Sequence, residues 1–443
     1  MYIRTLIFIA GMALAFGACQ PERPAPRAAA PALTGKTVEI LQTDSGYVLY
    51  RQGQPYFIKG ATFGTTLDKV RAYGGNCVRT YTTIGADSLL DAAHREGMTV
   101  FLCLYLIPGR LGMDYSNEDW VRRQLDSLRQ DVLRYKDHPA LLMWGIGNEL
   151  ELHYPNPDVW KAINQVAQMI HETDPNHPAA AVVLAQETSL RGAASGCPDI
   201  DLLAVNSFSS MPRVSRQLRD GSVGWNGPYV YTEWGNRGAW EAEKTHWDVA
   251  IERTSSIKAE ENRFQYEQFI SSDPSHCLGS FVFYWGQKQE RTHTWHSMFA
   301  ENGMKTPMVD MMSYLWTGAW PANRAPQLDS LLINGQNAFN KVYLHQGQTY
   351  EARVFARDPE GDSLTYTWEL LPEGDYRTIT GGDKEPRPVP ITGRFETGAD
   401  NAVLTFRAPD TTGPYRIFVY VRDAQGESNA NVPFFVTLGS HTR

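Results

Sequence analysis

The chain has 443 residues, 42% hydrophobic and 20% charged, which excludes a disordered or fibrous polymer and suits two or three folded domains. Its net charge of -8, spread along the chain without a basic run, excludes an electrostatic nucleic-acid binder. The 12 Trp and 21 Tyr supply either a large core or flat rings lining a cleft, and composition leaves both open.

The first segment, "MYIRTLIFIAGMALAFGAC", carries Arg4, an apolar stretch and small residues ending at Cys19, the pattern of a secretory signal. It is too short for a comfortable membrane-spanning helix. Small residues ahead of a Cys resemble a bacterial lipoprotein signal, which implies lipidation at Cys19. The implied location is the outer membrane, facing the periplasm or the cell surface. Phe16 departs from that signal, which usually has Leu or Val there, and simple secretion with cleavage near Ala18 is the alternative. Residues 20–36, beginning "QPERPAPRAAAPAL", have the Pro and Ala content of an extended tether. Signal and tether therefore divide as 1–19 and 20–36.

The folded part opens with "TVEILQTDSGYVLYRQGQPYFIKGATF", alternating residues between Gly turns that predict a hairpin. Eight short apolar runs then alternate with helical patterns: "YFIKGATF", "CVRTYT", "TVFLCLYL", "LLMWGIG", "AAVVLAQ", "LLAVNSF", "YVYTEW" and "GSFVFYW". In "DWVRRQLDSLRQDVLRY", Val121, Leu125, Leu128 and Val132 share one helical face. In the next helix Val159, Ile163, Val166 and Ile170 do the same. Continuous apolar strands between amphipathic helices predict parallel strands covered by helices. Eight such units over residues 37–321 predict a (β/α)8 barrel ending in the helix "PMVDMMSYLWTGAW". A doubly wound open sheet competes, but no Gly-rich phosphate turn follows the first strand.

From residue 325 the helical period disappears, and alternating segments between Gly, Asp and Pro turns predict a β-sandwich over residues 325–443. Its "ARDPEGDSLTYTW" resembles the turn-and-strand motif of PKD-like and cadherin-like immunoglobulin modules. Asp358, Glu360 and Asp362 in that turn are either calcium ligands or a plain turn between strands. Cys77, Cys103, Cys197 and Cys277 form no C-x-x-C pair, so a zinc site is not expected, and the first two read as buried thiols. Neither a metal nor a cofactor is expected.

Catalytic groups of a (β/α)8 barrel project from the C-terminal ends of its strands. Strand two ends near Arg79 and Tyr81, strand four at Asn148 and Glu149, strand six at Asn206, strand seven at Glu233 and strand eight at Trp285. No strand end offers clustered His and Cys, and His94, His138 and His177 read as surface residues or local caps. Two carboxylates facing each other across a cleft are the minimum equipment for glycoside hydrolysis. One must hold a proton near neutral pH, and the other must stay ionised to attack the anomeric carbon.

These residues carry a resemblance. "WGIGNELE" and "YVYTEWG" are similar to the strand-four acid/base and strand-seven nucleophile motifs of glycoside hydrolase clan A, while "FIKGATF" and "NCVRTYT" resemble the first strands of family 2 barrels. The resemblance implies a retaining enzyme with Glu233 as nucleophile and Glu149 as acid, then base. It further implies Asn148 at the sugar 2-hydroxyl, Arg79 holding Glu233, and Trp285 flooring the central subsite. Many clan members place a Tyr near the end of strand six to hold the nucleophile, whereas this chain has Phe208. Asn206 or Tyr231 would then replace that contact, or the geometry differs. An anchored barrel followed by a sandwich resembles bacterial endo-β-1,3-glucanases such as family 158, acting on a laminarin-like polysaccharide. The alternatives are a family 2 exo-β-glycosidase, a β-glucanosyltransferase using the same acids, and a non-catalytic carbohydrate-binding lipoprotein. Trp240, Trp247 and Trp295, in the loops after strands seven and eight, would form further subsites or cap the barrel.

Overall fold

The computed structural model describes residues 33–63, 67–376 and 383–438. The expected signal, Cys19 and most of the tether lie outside the described residues. Eight parallel strands close a barrel: β4 (Ile58–Phe63), β5 (Cys77–Arg79), β6 (Thr99–Leu104), β7 (Leu141–Ile146), β8 (Ala179–Leu184), β9 (Leu202–Asn206), β10 (Tyr229–Trp234) and β11 (Cys277–Trp285). Each is followed by a helix: α1 (Leu67–Ala72), α2 (Ala86–Arg95), α3 (Glu118–Tyr135), α4 (Asp158–Thr173), α5 (Glu187–Gly196), α6 (Met211–Arg219), α7 (Ser255–Gln265) and α8 (Pro307–Thr317). The helix stripes explain the ring. Val159, Ile163, Val166 and Ile170 of α4 are all buried, as are Val121, Leu128 and Val132 of α3. The Asn117 side chain starts α3 by accepting from the amides of Asp119 and Trp120.

The barrel interior is solid. Cys77, Phe101, Cys103, Met143, Val182 and Phe281 form one inward cluster, with the Phe101 and Phe281 rings 5.5 Å apart. Gly60 makes room for this filling, because a Cβ there would lie 2.3 Å from the Phe281 ring. All four cysteines within the described residues are free and buried. Below the barrel, β1 (Val38–Thr43), β2 (Gly46–Arg51) and β3 (Gln54–Pro55) form a small antiparallel sheet. Val38 and Leu49 pack into the inward cluster. The Val38 and Tyr47 amides donate to the Asn176 and Ser275 carbonyls just ahead of β8 and β11. The sheet thus plugs the N-terminal mouth and leaves the C-terminal mouth for chemistry.

The remaining strands are β12 (Gln327–Ile333), β13 (Tyr343–His345), β14 (Thr349–Arg357), β15 (Thr365–Pro372), β16 (Phe395–Thr397), β17 (Val403–Arg407), β18 (Gly413–Arg422) and β19 (Glu427–Thr437). They make two four-stranded sheets, ordered β12-β14-β17-β16 and β13-β19-β18-β15, packed over an apolar core. The barrel is therefore followed by a β-sandwich, and the change of character expected near residue 325 falls between α8 and β12. In the turn that carries Asp358, Glu360 and Asp362, read as calcium ligands or a plain turn, Glu360 forms a 2.8 Å ion pair with Arg324. Asp423 takes its place beside Asp358 and Asp362.

Candidate active site

The barrel's C-terminal mouth is organised by one buried cation. Strand alternation turns Cys77 and Arg79 inward, and Arg79 is fully buried. A guanidinium survives there only if partners offset its loss of water. Nη1 donates to Glu233 Oε1 at 3.0 Å and to the Thr232 carbonyl at 3.2 Å, and Nη2 donates to Asn148 Oδ1 at 2.5 Å. The guanidinium also lies 4.7 Å from the Tyr81 ring centre. One side chain from β5 thereby ties the ends of β7 and β10 together.

Glu233 reaches the cleft because β10 is irregular. Its pairing with β9 shifts register between Tyr231 and Glu233, and its pairing with β11 shifts between Tyr231 and Trp234. Such a slip re-aims a side chain that strict alternation would send elsewhere. Glu233 Oε1 accepts from Arg79 and also from the Tyr81 hydroxyl at 3.0 Å. Both donors use one oxygen. Among the described residues Oε2 accepts no hydrogen bond, which leaves it open to a bound group.

Glu149 is placed by a turn. Gly147 and Glu149 both have left-handed backbone, with φ of 64° and 49°, so the chain leaves β7 abruptly. Left-handed backbone at a residue bearing a Cβ costs about 1–2 kcal/mol. Strain of this kind is characteristic of functional sites. The Glu149 amide is anchored on the Val182 carbonyl of β8 at 3.1 Å, and its Oε1 accepts from Asn206 Nδ2 at 2.8 Å. Asn206 is itself fixed by Thr232, whose hydroxyl donates to Asn206 Oδ1 at 2.8 Å. Burial first, and then the negative charge of Glu233, push the Glu149 carboxyl up to about 8. It therefore carries its proton at neutral pH.

The arrangement brings together Arg79, Tyr81, Asn148, Glu149, Asn206 and Glu233, all expected at strand ends. Two expected residues lie elsewhere. Trp285 is fully buried against Trp316 of α8, with rings 5.4 Å apart, and against Phe299 and Tyr73, so it cannot floor a sugar subsite. A register shift in the β11–β4 pairing between Val282 and Trp285 is the reason, since it breaks the alternation that would turn Trp285 inward. Tyr231 also points outward, edge-on to Tyr229 at 5.4 Å, and does not touch Glu233. The hydroxyl that Phe208 lacks comes instead from Tyr81.

Phe208 belongs to a ring cluster with Phe283, His296 and Trp240, at centroid distances of 5.7, 5.4 and 5.5 Å. Trp240 is 57% exposed and offers a free face, whereas Trp295 is buried and Trp247 packs on Tyr343 and Phe435 of the sandwich. Of the three loop tryptophans, only Trp240 therefore has the exposure a subsite needs. Phe283 was not singled out from the sequence, although it lies two residues beyond Phe281 on the same face of β11. His177, expected at the surface or as a cap, is buried in a 2.9 Å pair with Asp174, which also accepts from Trp144.

Residues 89–243 match the sequence profile described as "Glycosyl hydrolases family 2, TIM barrel domain". The chain is 25% identical over 180 residues to a beta-glucuronidase of Chlorocebus aethiops, a stretch covering 38% of this chain and 26% of that protein. It is 32% identical over 111 residues to a beta-galactosidase of Thermoanaerobacter pseudethanolicus, covering 25% of this chain and 13% of that protein. Among solved structures, Bacteroides uniformis beta-glucuronidase 2, covalently bound to cyclophellitol-6-carboxylate aziridine, aligns with 91% of this chain and 48% of its own. The TM-score is 0.50 at 14% identity, a likeness of fold alone. The chain thus spans about half of that structure, and the matched stretches span about a quarter or less of the two curated relatives.

Proposed function

We propose that the protein is a retaining β-glycosidase of the exo-acting family 2 type. The observation that carries this reading is the unequal pair of carboxyls. Glu149 is raised to about 8, while Glu233 is gripped through one oxygen by Arg79 and Tyr81. In the first step Glu149 donates its proton to the glycosidic oxygen as Glu233 attacks the anomeric carbon, giving a glycosyl-enzyme and the free aglycone. In the second, Glu149, now ionised, takes a proton from water as the water displaces Glu233. Asn148 Nδ2 donates to no described residue and suits the sugar 2-hydroxyl, while Arg79 fixes its amide oxygen.

Similarity to a beta-glucuronidase and a beta-galactosidase supports exo action on a terminal sugar over the endo-β-1,3-glucanase reading. The exposed face of Trp240 favours the endo reading as a second possibility. A screen of aryl β-glucuronides, β-galactosides and β-mannosides beside laminarin, with product lengths read for each, separates the two and also detects transfer to sugar. A 2-fluoro glycoside of the accepted sugar should label Glu233 in a peptide digest. A label on another residue, or hydrolysis undiminished in Glu233→Gln, overturns the mechanism. The sandwich, on its "ARDPEGDSLTYTW" motif, we assign to the PKD-like immunoglobulin modules.

We also propose export with a lipid on Cys19, supported by the signal-like segment "MYIRTLIFIAGMALAFGAC". Expression in a bacterium fed labelled palmitate should give a labelled protein in the membrane pellet. Cys19→Ser should be unlabelled and leave that pellet, and label persisting in the variant refutes the assignment.

A further inference from the structure

The chain that leaves β6 builds a second concave surface at the catalytic mouth. Tyr105, the residue after β6, and Trp120, in the first turn of α3, are 50% and 42% exposed. With Ile107, Leu111 and Arg123 they line a groove of about 580 Å³, within the size range of small-molecule sites. Isolated exposed rings are ordinary, but a preformed groove is not. This one is pinned from below. The Ile107 amide donates to Gln124 Oε1 at 2.9 Å, the buried Tyr115 hydroxyl donates to the Ile107 carbonyl at 2.9 Å, and the Tyr115 amide donates to the Tyr154 hydroxyl at 3.0 Å.

Its position carries the argument. The Gly147 amide donates to the Leu104 carbonyl at 3.1 Å, so Tyr105 follows directly on the backbone contact that leads into Asn148 and Glu149. The groove thus begins on the acid's side of the cleft. The group protonated by Glu149 is the leaving oxygen, and everything attached to that oxygen is aglycone. Flat rings flanked by Arg123, Gln124 and Ser127 match the chemistry of a pyranose, which has apolar C–H faces and an equatorial rim of hydroxyls.

We propose that the groove between the β6–α3 loop and the first turns of α3 is the aglycone-side subsite for an oligo- or polysaccharide β-glycoside, with Tyr105 and Trp120 as its sugar platforms. The proposal rests on the glycosidase reading and adds to it that the leaving group is itself a sugar chain. Kinetics of the full chain are compared on a β-glycosyl fluoride, whose leaving group is too small to reach the groove, and on the hexasaccharide of the same sugar. The glucuronyl, glucosyl, galactosyl and mannosyl series are all tried. Tyr105→Ala and Trp120→Ala should cut kcat/KM on the hexasaccharide roughly tenfold through KM, the scale of losing one aromatic anchor. The loss should be confined to that substrate, and Trp120→Phe, which keeps a flat ring, should restore most of it. Equal losses on both substrates, or none on the hexasaccharide, overturn the subsite. So does a change of oligomeric state with unaltered kinetics, which would give the groove to a second copy of the chain. If the wild-type chain hydrolyses nothing, the glycosidase reading fails, and the groove is judged by calorimetric titration with the hexasaccharides. Binding to the wild-type chain that is lost in Trp120→Ala keeps a sugar-binding groove, and no binding to the wild-type chain removes it.

Discussion

If Glu149 is the proton donor, as proposed, it sets the pH range of the site. Burial and the charge of Glu233 raise it from the ordinary 4.5 to about 8, so its proton is present through neutrality and lost on the alkaline side. The basic limb of kcat/KM should therefore fall near 8, and Glu149→Gln should abolish that limb. On glycosides with poor leaving groups the variant should lose roughly 10²–10⁴ in rate, the usual worth of a general acid. The same shift carries a stability sign. A proton held by the fold but released by the unfolded chain stabilises the fold fully below about 4.5, and that contribution disappears as pH rises through 8. Thermal unfolding from pH 5 to 9 should show Glu149→Gln gaining on the wild type as pH rises. A variant that keeps a basic limb near 8 would assign the limb to another group. Glu149, Glu233 and Arg79 were legible in the sequence because a charged residue closing an apolar run has few structural reasons to be there. Trp285 and Tyr231 were not, because the register shifts that part them from the cleft, ahead of Trp285 in β11 and after Tyr231 in β10, leave no mark in residue type.

At the scale of elements, the turn after β7 and the slip in β10 aim the two acids. Alternating apolar runs and helix stripes were enough to place the strands, since period and length report burial directly. The left-handed backbone at Glu149 was hidden, because Glu is not a residue that announces positive φ, although Gly147 two residues earlier is. Gly147 is testable for that reason. Its φ of 64° disfavours any Cβ, and a Cβ would also lie 2.7 Å from Leu150 Cδ1. Gly147→Ala should destabilise the fold by about 1–2 kcal/mol through backbone strain. It should also lower kcat, because the turn that tilts towards Leu150 is the one holding Glu149 on the Val182 carbonyl. Denaturant unfolding and steady-state kinetics measure the two effects. A stable variant with normal kcat would show that the β8 anchor alone positions the acid.

At the scale of the molecule, the sandwich and barrel share one buried polar network, which sequence reading could not anticipate because its barrel half and its sandwich half lie more than a hundred residues apart in the chain. Glu252, between β10 and α7, pairs with Lys258 and accepts from Asn431 of β19 at 2.7 Å. Burial would raise Glu252, but the cations of Lys258 and Arg416 overcome it and hold the carboxyl down at about 2. Arg416 of β18 is the hub. It pairs with Glu373 at 2.8 Å, donates to Asn431 at 2.6 Å, and crosses to the Ala250 carbonyl at 2.8 Å. The two bodies are thus joined through groups that have no water to fall back on. Removing one member of a buried ion pair leaves the other charged and desolvated, at about 3–5 kcal/mol. Arg416→Ala should therefore lower the melting temperature sharply, while Arg134→Ala, which breaks an exposed pair with Asp87, should change it little. The linkage sign adds a second readout. Glu252, held below its ordinary 4.5, contributes stability above that pH and loses it as pH falls towards 2. Without Arg416 it is held down less strongly, so acid unfolding of Arg416→Ala should begin at higher pH than in the wild type. Equal melting temperatures and coincident acid transitions would mean that apolar contacts alone hold the sandwich on the barrel.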